Sequence, residues 1–536
     1  MLDSLPLLTL ITLSPLLGII VLLFIPKDNG KWIKFVGIAA TIIPLLLCLG
    51  LYAAFDRGAS DMQFKDEFSW IKVPLNQEWL NETVDSYFYE LKFTLGVDGI
   101  SLPLVLMTAL IVLMAALAAV HIKKRWKAFY IWFLILQIGM FGVFLANDLI
   151  LFFIFFEITL VPTFFLIAIW GYKDRERSAN RFLIYNGVGS AIMLVAFLIL
   201  VATAGFQAME TENGTQLSYS GDLAVIERNL NDDNSYANVE PLFPMANPFY
   251  MSDGLKWMLF IMLLIAFGIK LPIFPFHTWM LRVHAEAPPP LVMIHSGILL
   301  KMGAYGLIRF GVSLFPEQAQ SWAMVLAVLG LINIIYGALL AFVQQEFKLL
   351  LAYSSISHMG IVLLGIAAWN EVGWQGAMIQ LVSHGFISAL FFLLVGVLYE
   401  RTQTTELAEL GGLAKSIPFA SGIILVAGLA SLGLPGLSGF VGEILSFIGL
   451  FGSMPVLAAI GALGIIFTAA YVLRGVLKIT FGPMPDRFEN IRDARFIEAL
   501  PMVTLVAFIL LIGIYPAVIS DPMSQTIQNL MTRIGG

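Results

Sequence analysis

Cysteine is all but missing: Cys48 is the only one in 536 residues, and it sits in an apolar run. That excludes a disulfide framework and a thiolate-bound metal centre, and leaves the thiol as a small hydrophobe. Histidine is scarce too, six in all, with no pair at the four-residue spacing of a zinc helix, so neither a metal nor a haem is expected in this chain. No Gly-rich dinucleotide fingerprint is present. Charge is sparse, at 12% of residues with a net of −6, and no basic patch interleaves with aromatics, which removes nucleic acid as a partner. What remains is apolar. With 59% hydrophobic residues and a mean hydropathy of +0.88, a soluble domain of this length is excluded and a polytopic membrane protein is left.

Runs long enough to span a bilayer as helices fall near 5–25, 32–53, 98–121, 128–145, 149–170, 180–205, 255–281, 290–312, 320–343, 349–368, 373–399, 417–451, 455–480 and 497–519. The expectation is therefore an all-α polytopic protein of about fourteen transmembrane helices. Alternate connections differ in charge. One set carries twenty lysines and arginines, dense at Lys27–Lys34, Lys123–Lys127, Lys173–Arg181 and Arg474–Arg495, and the other only seven. Positive charge stays on the cytoplasmic side, so both termini are expected outside the cytoplasm. Two long connections on the outer side, 55–92 and 207–254, are acidic and turn-rich, and read as solvated caps.

Near the middle of two runs the helix must break. In Gly268-Ile-Lys270-Leu-Pro272-Ile-Phe-Pro275-Phe-His277, two prolines free backbone groups where lipid offers no water. In Ala430-Ser-Leu-Gly433-Leu-Pro435-Gly436-Leu, glycines and Pro435 do the same. The breaks fall in the seventh and twelfth spans. Spans 4–8 and 9–13 then begin on opposite sides of the membrane, and form two inverted five-helix repeats with one broken helix each, an architecture of transporters. The implied division is 1–127 for the first three spans, 128–312 and 313–481 for the repeats, and 482–536 for the last span and a short tail.

Ionisable groups at membrane depth carry the functional signal. Lys270 lies about 16 Å from the end of its run at about 1.5 Å per residue, too deep to snorkel to the interface. Glu157, Lys301, His358, His384 and Glu443 fall at similar depth in their own runs. Such groups are costly in lipid and mark proton or ion paths. A buried lysine favours its neutral form, a buried carboxylate its protonated form, and pairing the two favours both ions. An ion pair that opens and closes can thus load and release a proton, with Glu157 and Lys270 as the candidate switch and histidines as the bridge. His277, His284 and His295 lie toward the cytoplasmic side and are candidates for proton intake. Arg309, near the outer end of its span, is expected to snorkel.

Four motifs are specific in combination: Phe276-His277-Thr-Trp279, Glu286-Ala-Pro288, Leu300-Lys301-Met-Gly303-Ala-Tyr-Gly306 and Leu351-Ala-Tyr-Ser-Ser-Ile-Ser-His358-Met-Gly360. With them the chain resembles, over nearly all its length, the antiporter-like membrane subunits of NADH:quinone oxidoreductase (respiratory complex I), which are related to subunits of multi-subunit cation/proton antiporters. It is most similar to the M type, because Glu443 follows the second break where the L and N types have lysine, and because the chain stops soon after its last span. The resemblance implies proton translocation driven by remote electron transfer to quinone, with Glu157, Lys270, Lys301, His358, His384 and Glu443 as the transfer groups. It implies NADH, FMN, iron–sulfur clusters and quinone in other subunits, L-type and N-type chains, small membrane subunits and lipids as partners, and a bacterial inner (plasma) membrane location. The alternative is a subunit of a Na⁺/H⁺ antiporter without redox coupling. Three departures stand out: the family's usual Leu-Pro-Asp-Ala-His reads Met280-Leu-Arg282-Val-His284 here, His295 occupies a position that is usually apolar, and the basic stretch before Ala352-Tyr-Ser-Ser reads Glu346-Phe-Lys348-Leu349, with one base fewer than usual.

Overall fold

The computed structural model describes residues 6–75, 84–211, 214–241 and 247–535, with the side chains of 84–86, 209–211 and 214–215 left aside. The helices that carry the argument are α1 (Leu7–Phe24), α2 (Gly30–Ala54), α3 (Ser101–His121), α4 (Trp126–Leu145), α5 (Leu149–Trp170), α6 (Arg175–Ala204), α7 (Asp253–Lys270), α8 (Thr278–Glu286), α9 (Pro289–Val312), α10 (Ala323–Val343), α11 (Phe347–Ala367), α12 (Glu371–Thr402), α13 (Pro418–Ser431), α14 (Ser438–Ser453), α15 (Pro455–Thr480), α16 (Phe496–Ile514) and α17 (Ala517–Arg533). Among the described residues, twelve helices are long and apolar enough to cross a membrane, which makes this a multi-pass membrane protein. The two interrupted runs appear as the pairs α7/α8 and α13/α14, whose members are each too short or too charged to count as one of the twelve.

Why the helices sort themselves is visible in their burial. The most apolar stretch of α9 is 100% buried inside the protein and that of α12 is 94% buried, while those of α2, α15 and α16 are only 33% buried and turn large side chains such as Phe496 and Ile514 outward. A helix apolar on every side needs either protein or lipid all round it. Here α9, α11 and α12 take the protein interior, α3 and α4 are mostly buried beside them, and α2, α15 and α16 turn most of their surface outward. Polar residues at the helix starts satisfy the free N–H groups: Asp148 accepts from Ile150 and Leu151 ahead of α5, and Asn370 from Gly373 ahead of α12.

Both breaks are closed by hydrogen bonds, as a membrane interior demands. At the first, the Phe274 N–H donates to Asn333 Oδ1 at 2.9 Å, and the Trp279 indole donates to the Ile269 carbonyl at 3.0 Å. At the second, the Leu434 N–H donates to the Leu429 carbonyl at 3.0 Å. Pro272 and Pro275 lie between α7 and α8, and Pro435 between α13 and α14.

The all-α expectation fails outside the membrane. The two acidic connections combine into a four-stranded sheet of β1 (Gln63–Pro74), β2 (Val84–Val97), β3 (Phe206–Thr211) and β4 (Gly214–Ser220), in the order β1-β2-β4-β3. Strands β1 and β2 form an antiparallel pair, and β4 adds to β2 in parallel. The acid count hid strand-forming residues: Phe68, Trp70, Ile71 and Val73 in β1, and Tyr87, Tyr89, Phe93 and Leu95 in β2. Neither connection completes the sheet alone; the pairing of β2 with β4 joins segments more than a hundred residues apart, which no local pattern announces.

Candidate functional site

The buried ionisable groups form two clusters with a histidine pair between them. In the first, Lys270 is the last residue of α7 and is 1% exposed; its Nζ has no hydrogen-bond partner and faces the rings of Phe156 at 5.0 Å and Phe182 at 5.5 Å. Glu157, half-buried on α5, also leaves Oε1 unpartnered. The two are not in contact, although Glu157 lies close enough to act electrostatically on Lys270. The expected switch pair is open in this structure.

Between the clusters, His284 of α8 and His295 of α9 meet at 3.0 Å through Nε2 and Nδ1, with their rings nearly perpendicular. Both are fully buried. His295 packs on the same Phe182 ring that Lys270 faces, and lies within electrostatic reach of both Lys270 and Lys301. It sits in a π-helical turn, His295–Leu299, a widening of α9 of the kind found at functional sites. His277 stands apart from this pair. It bonds the Tyr336 hydroxyl at 3.2 Å and stacks on Phe274 beside the break.

The second cluster is continuous. Lys301 Nζ donates to the Ser296 carbonyl and lies 2.8 Å from His384 Nδ1. The His384 and His358 rings are 5.3 Å apart. His358 Nδ1 then lies 3.3 Å from Gln380 Nε2 and 3.4 Å from Glu443 Oε1, while its Nε2 meets Ser431 Oγ at 3.3 Å. A neutral Nδ1 accepts from the Gln380 amide and a protonated one donates to the Glu443 carboxylate, so His358 has a partner in either state. A row of groups that each give and take a proton, hydrogen-bonded at both ends and with its two histidine rings 5.3 Å apart, can pass a proton along its length once the rings turn toward each other.

Two glycines of the second break hold Glu443 there. An added Cβ at Gly442 would meet Gln380 Cα at 2.7 Å, so only a glycine lets α14 approach α12 this closely. Gly433 has φ +75°, and a Cβ there would meet Glu443 Oε2 at 2.5 Å. Gly433→Ala is therefore expected to cost about 1–2 kcal/mol for the left-handed backbone and to push the carboxylate away from His358. Its loss of activity should match that of Glu443→Gln, with a lower melting temperature besides. Wild-type activity in Gly433→Ala would show that this contact is dispensable.

Sequence reasoning missed Gln380, Ser431, Ser296 and Asn333. Gln380 had a signal, being a polar residue one turn before His384 in an apolar run; the Ser296 carbonyl had none. Arg309 is a correction. Rather than snorkelling, it is buried and paired with Asp98 at 2.6 Å, because the residues just before α3 bring a carboxylate to the C-terminal end of α9. Among the described residues, His121, Glu400 and Glu498 could bring three metal ligands together, but the guanidiniums of Arg401 and Arg495 already occupy the Glu498 carboxylate.

Residues 146–468 match the family described as NADH:quinone oxidoreductase/Mrp antiporter, TM, and residues 65–147 the amino terminus of NADH-ubiquinone oxidoreductase chain 4. The chain is 35% identical to NADH-quinone oxidoreductase subunit M of Rhodobacter capsulatus, covering 98% of this chain and 96% of that one. It is 36% identical to NAD(P)H-quinone oxidoreductase chain 4 of Gloeobacter violaceus, over 99% and 93% of the two chains. Among solved structures, a chain of respiratory complex I from Thermus thermophilus with bound NADH superposes with a TM-score of 0.79 at 28% identity, over 99% of this chain and 100% of that one. The chain belongs to the NADH:quinone oxidoreductase/Mrp antiporter membrane-subunit family, in its M-type (chain 4) branch.

Proposed function

We propose that this chain is the M-type proton-translocating subunit of an NADH:quinone oxidoreductase, moving H⁺ across the membrane along its buried row while other subunits carry NADH, FMN, the iron–sulfur clusters and quinone. The observation that carries the reading is the closely spaced row Lys301–His384–His358–Glu443 through the protein interior, with the two histidine rings 5.3 Å apart at its middle. Protons enter from the side of the lysine- and arginine-rich connections, reach Lys270 and the His284–His295 pair, and are exchanged laterally along the row between Lys301 and Glu443. The role of Glu157 is to hold or release the proton on Lys270 as the pair closes and opens.

We read each broken pair as one crossing, for fourteen spans in all, with residues 128–312 and 313–481 as the inverted repeats and 1–127 and 482–536 flanking them; the twelve long apolar helices and the two interrupted pairs support this reading. Both termini then face away from the cytoplasm of a bacterial inner membrane. L-type and N-type chains, small membrane subunits and lipids would cover the apolar rim.

Affinity purification of the tagged chain from its native membrane in mild detergent, with mass spectrometry, tests the assembly. Flavin and iron–sulfur subunits should co-purify. Recovery of only another antiporter-like chain and small membrane subunits would overturn the redox coupling in favour of Na⁺/H⁺ exchange.

A further inference from the structure

The row accounts for how a proton moves laterally through the core, but a second set of buried groups leads out of it. Lys301, Tyr305 and Arg309 recur every four residues along α9 and so share one face. Tyr305 is 1% exposed, donates its hydroxyl to the Phe144 carbonyl at 3.2 Å, and lies under the Arg309 guanidinium, whose carbon is 5.4 Å from the ring centre. Arg309 Nη2 donates to Asp98 Oδ2 at 2.6 Å, while its Nε is buried without a partner. Asp98 Oδ1 is held by the Ile100 and Ser101 N–H groups and the Ser101 hydroxyl, so Oδ2 has Arg309 as its one partner among the described residues. Both Asp98 and Arg309 line a cavity of about 220 Å³ on the outer side, walled by the sheet-bearing connections and α17, with Lys65, Asn147, Glu227 and Arg533 among its polar residues.

One further observation marks an unpartnered polar group beside this path. Gln137 of α4 is fully buried, and neither its Nε2 nor its Oε1 has a partner. It lies seven residues from Phe144, hence on the same face of α4, the face that meets Tyr305. An unsatisfied buried amide is a natural station for buried water.

We propose that Asp98 is the proton-release group on the outer side of this chain, fed from Lys301 along Tyr305 and gated by Arg309, with the 220 Å³ cavity as its vestibule. The inference rests on the proton-translocation reading above. An N–H bond of the Lys301 ammonium breaks, the proton passes through water beside the tyrosine, and an O–H bond forms on Asp98; that bond then breaks to water in the vestibule. Arg309 stays protonated throughout and acts by position, covering Asp98 between releases. Burial pushes the Asp98 carboxyl up, but Arg309 and the Ser101 donors outweigh it and hold it below the ordinary carboxylate range. The ion pair must therefore open before Asp98 accepts a proton, which makes the pair a gate against back-flow.

The test uses the whole complex in sealed inside-out vesicles, where the lumen faces this vestibule. With assembled complex at wild-type content, Asp98→Asn is expected to lower proton uptake per NADH oxidised through this chain about tenfold or more, Asp98→Glu to restore it, and formate enclosed in the lumen to rescue the asparagine variant but not Lys301→Ala. A purely structural Asp98–Arg309 pin would not respond to formate, so loss of pumping without formate rescue overturns the proposal, as does normal pumping in assembled Asp98→Asn. Should Asp98→Asn fail to assemble, Tyr305→Phe decides, since it removes only one hydroxyl: a several-fold loss supports the route and no loss overturns it. Lys301→Ala separates the two levels. If it pumps normally the translocation reading itself fails; if it is silent while Asp98→Asn pumps, only the exit assignment is lost.

Discussion

Lys301→Ala is expected to silence proton uptake through this chain, and Lys301→Arg to silence it as completely. Lys301 is fully buried and is the residue at which three features meet: the His284–His295 pair within electrostatic reach, the Ser296 carbonyl of the π-helical turn, and His384 at 2.8 Å. Alanine removes the group that hands the proton on. Positioned proton transfer is worth about 10²–10⁴ in rate, so the flux through this chain should fall at least about a hundredfold. Arginine is the informative variant. It keeps the positive charge and can still donate to Ser296 and His384, but it does not give up its proton in a protein. A lysine that merely braces α9 against α12 would be replaced by arginine with little loss. Dye-quench measurements of proton uptake per NADH oxidised, normalised to assembled complex, decide between the two, and normal pumping by the arginine variant would falsify the relay role. Alanine also leaves the buried His384 Nδ1 without its lysine partner, at about 1–3 kcal/mol, so assembly must be measured alongside.

What could be read in the sequence was whatever lipid makes costly. Lys270, Lys301, Glu157 and Glu443 stand out because an ionisable residue amid apolar neighbours needs a reason, and Pro272, Pro275 and Pro435 because a freed backbone group needs a partner. The chain supplies those partners from far away: Asn333 closes the first break from a helix about sixty residues on, and no local pattern links the two. Arg309 was misplaced for the same reason, since Asp98 is more than two hundred residues distant and lies just before the start of its helix. The π-helical turns of α9 also have no compositional mark; they show only in where the Ser296 carbonyl points. The outer sheet was missed through a different conflict, in which acidic side chains on the solvent face outweighed the aromatic alternation of β1 and β2. Charge argues for solvation, and solvation does not exclude a strand: β1 is mostly exposed although Asp66 within it is buried.

The open Glu157–Lys270 pair leads to the second large effect. Both groups are buried or half-buried with an unpartnered atom each, a situation that is costly to hold unless another state relieves it. Closing the pair is such a state. Opposite charges about 6 Å apart at an effective dielectric of about 20 attract by about 3 kcal/mol, which is about a hundredfold in the occupancy of a proton on the lysine. Glu157→Gln removes that attraction at nearly constant shape and should slow proton uptake through this chain by about that factor, while Lys270→Met should abolish it. The double variant distinguishes a coupled pair from two independent sites. If Glu157 acts only through the proton on Lys270, adding Glu157→Gln to Lys270→Met changes neither residual uptake nor NADH oxidation. If Glu157 instead serves a separate step of the redox coupling, NADH oxidation falls further in the double variant than in Lys270→Met alone, and the switch assignment is lost. Glu157→Asp offers a graded control: it keeps the charge but shortens the reach across Phe156, so a rate between wild type and the glutamine variant is the expected result.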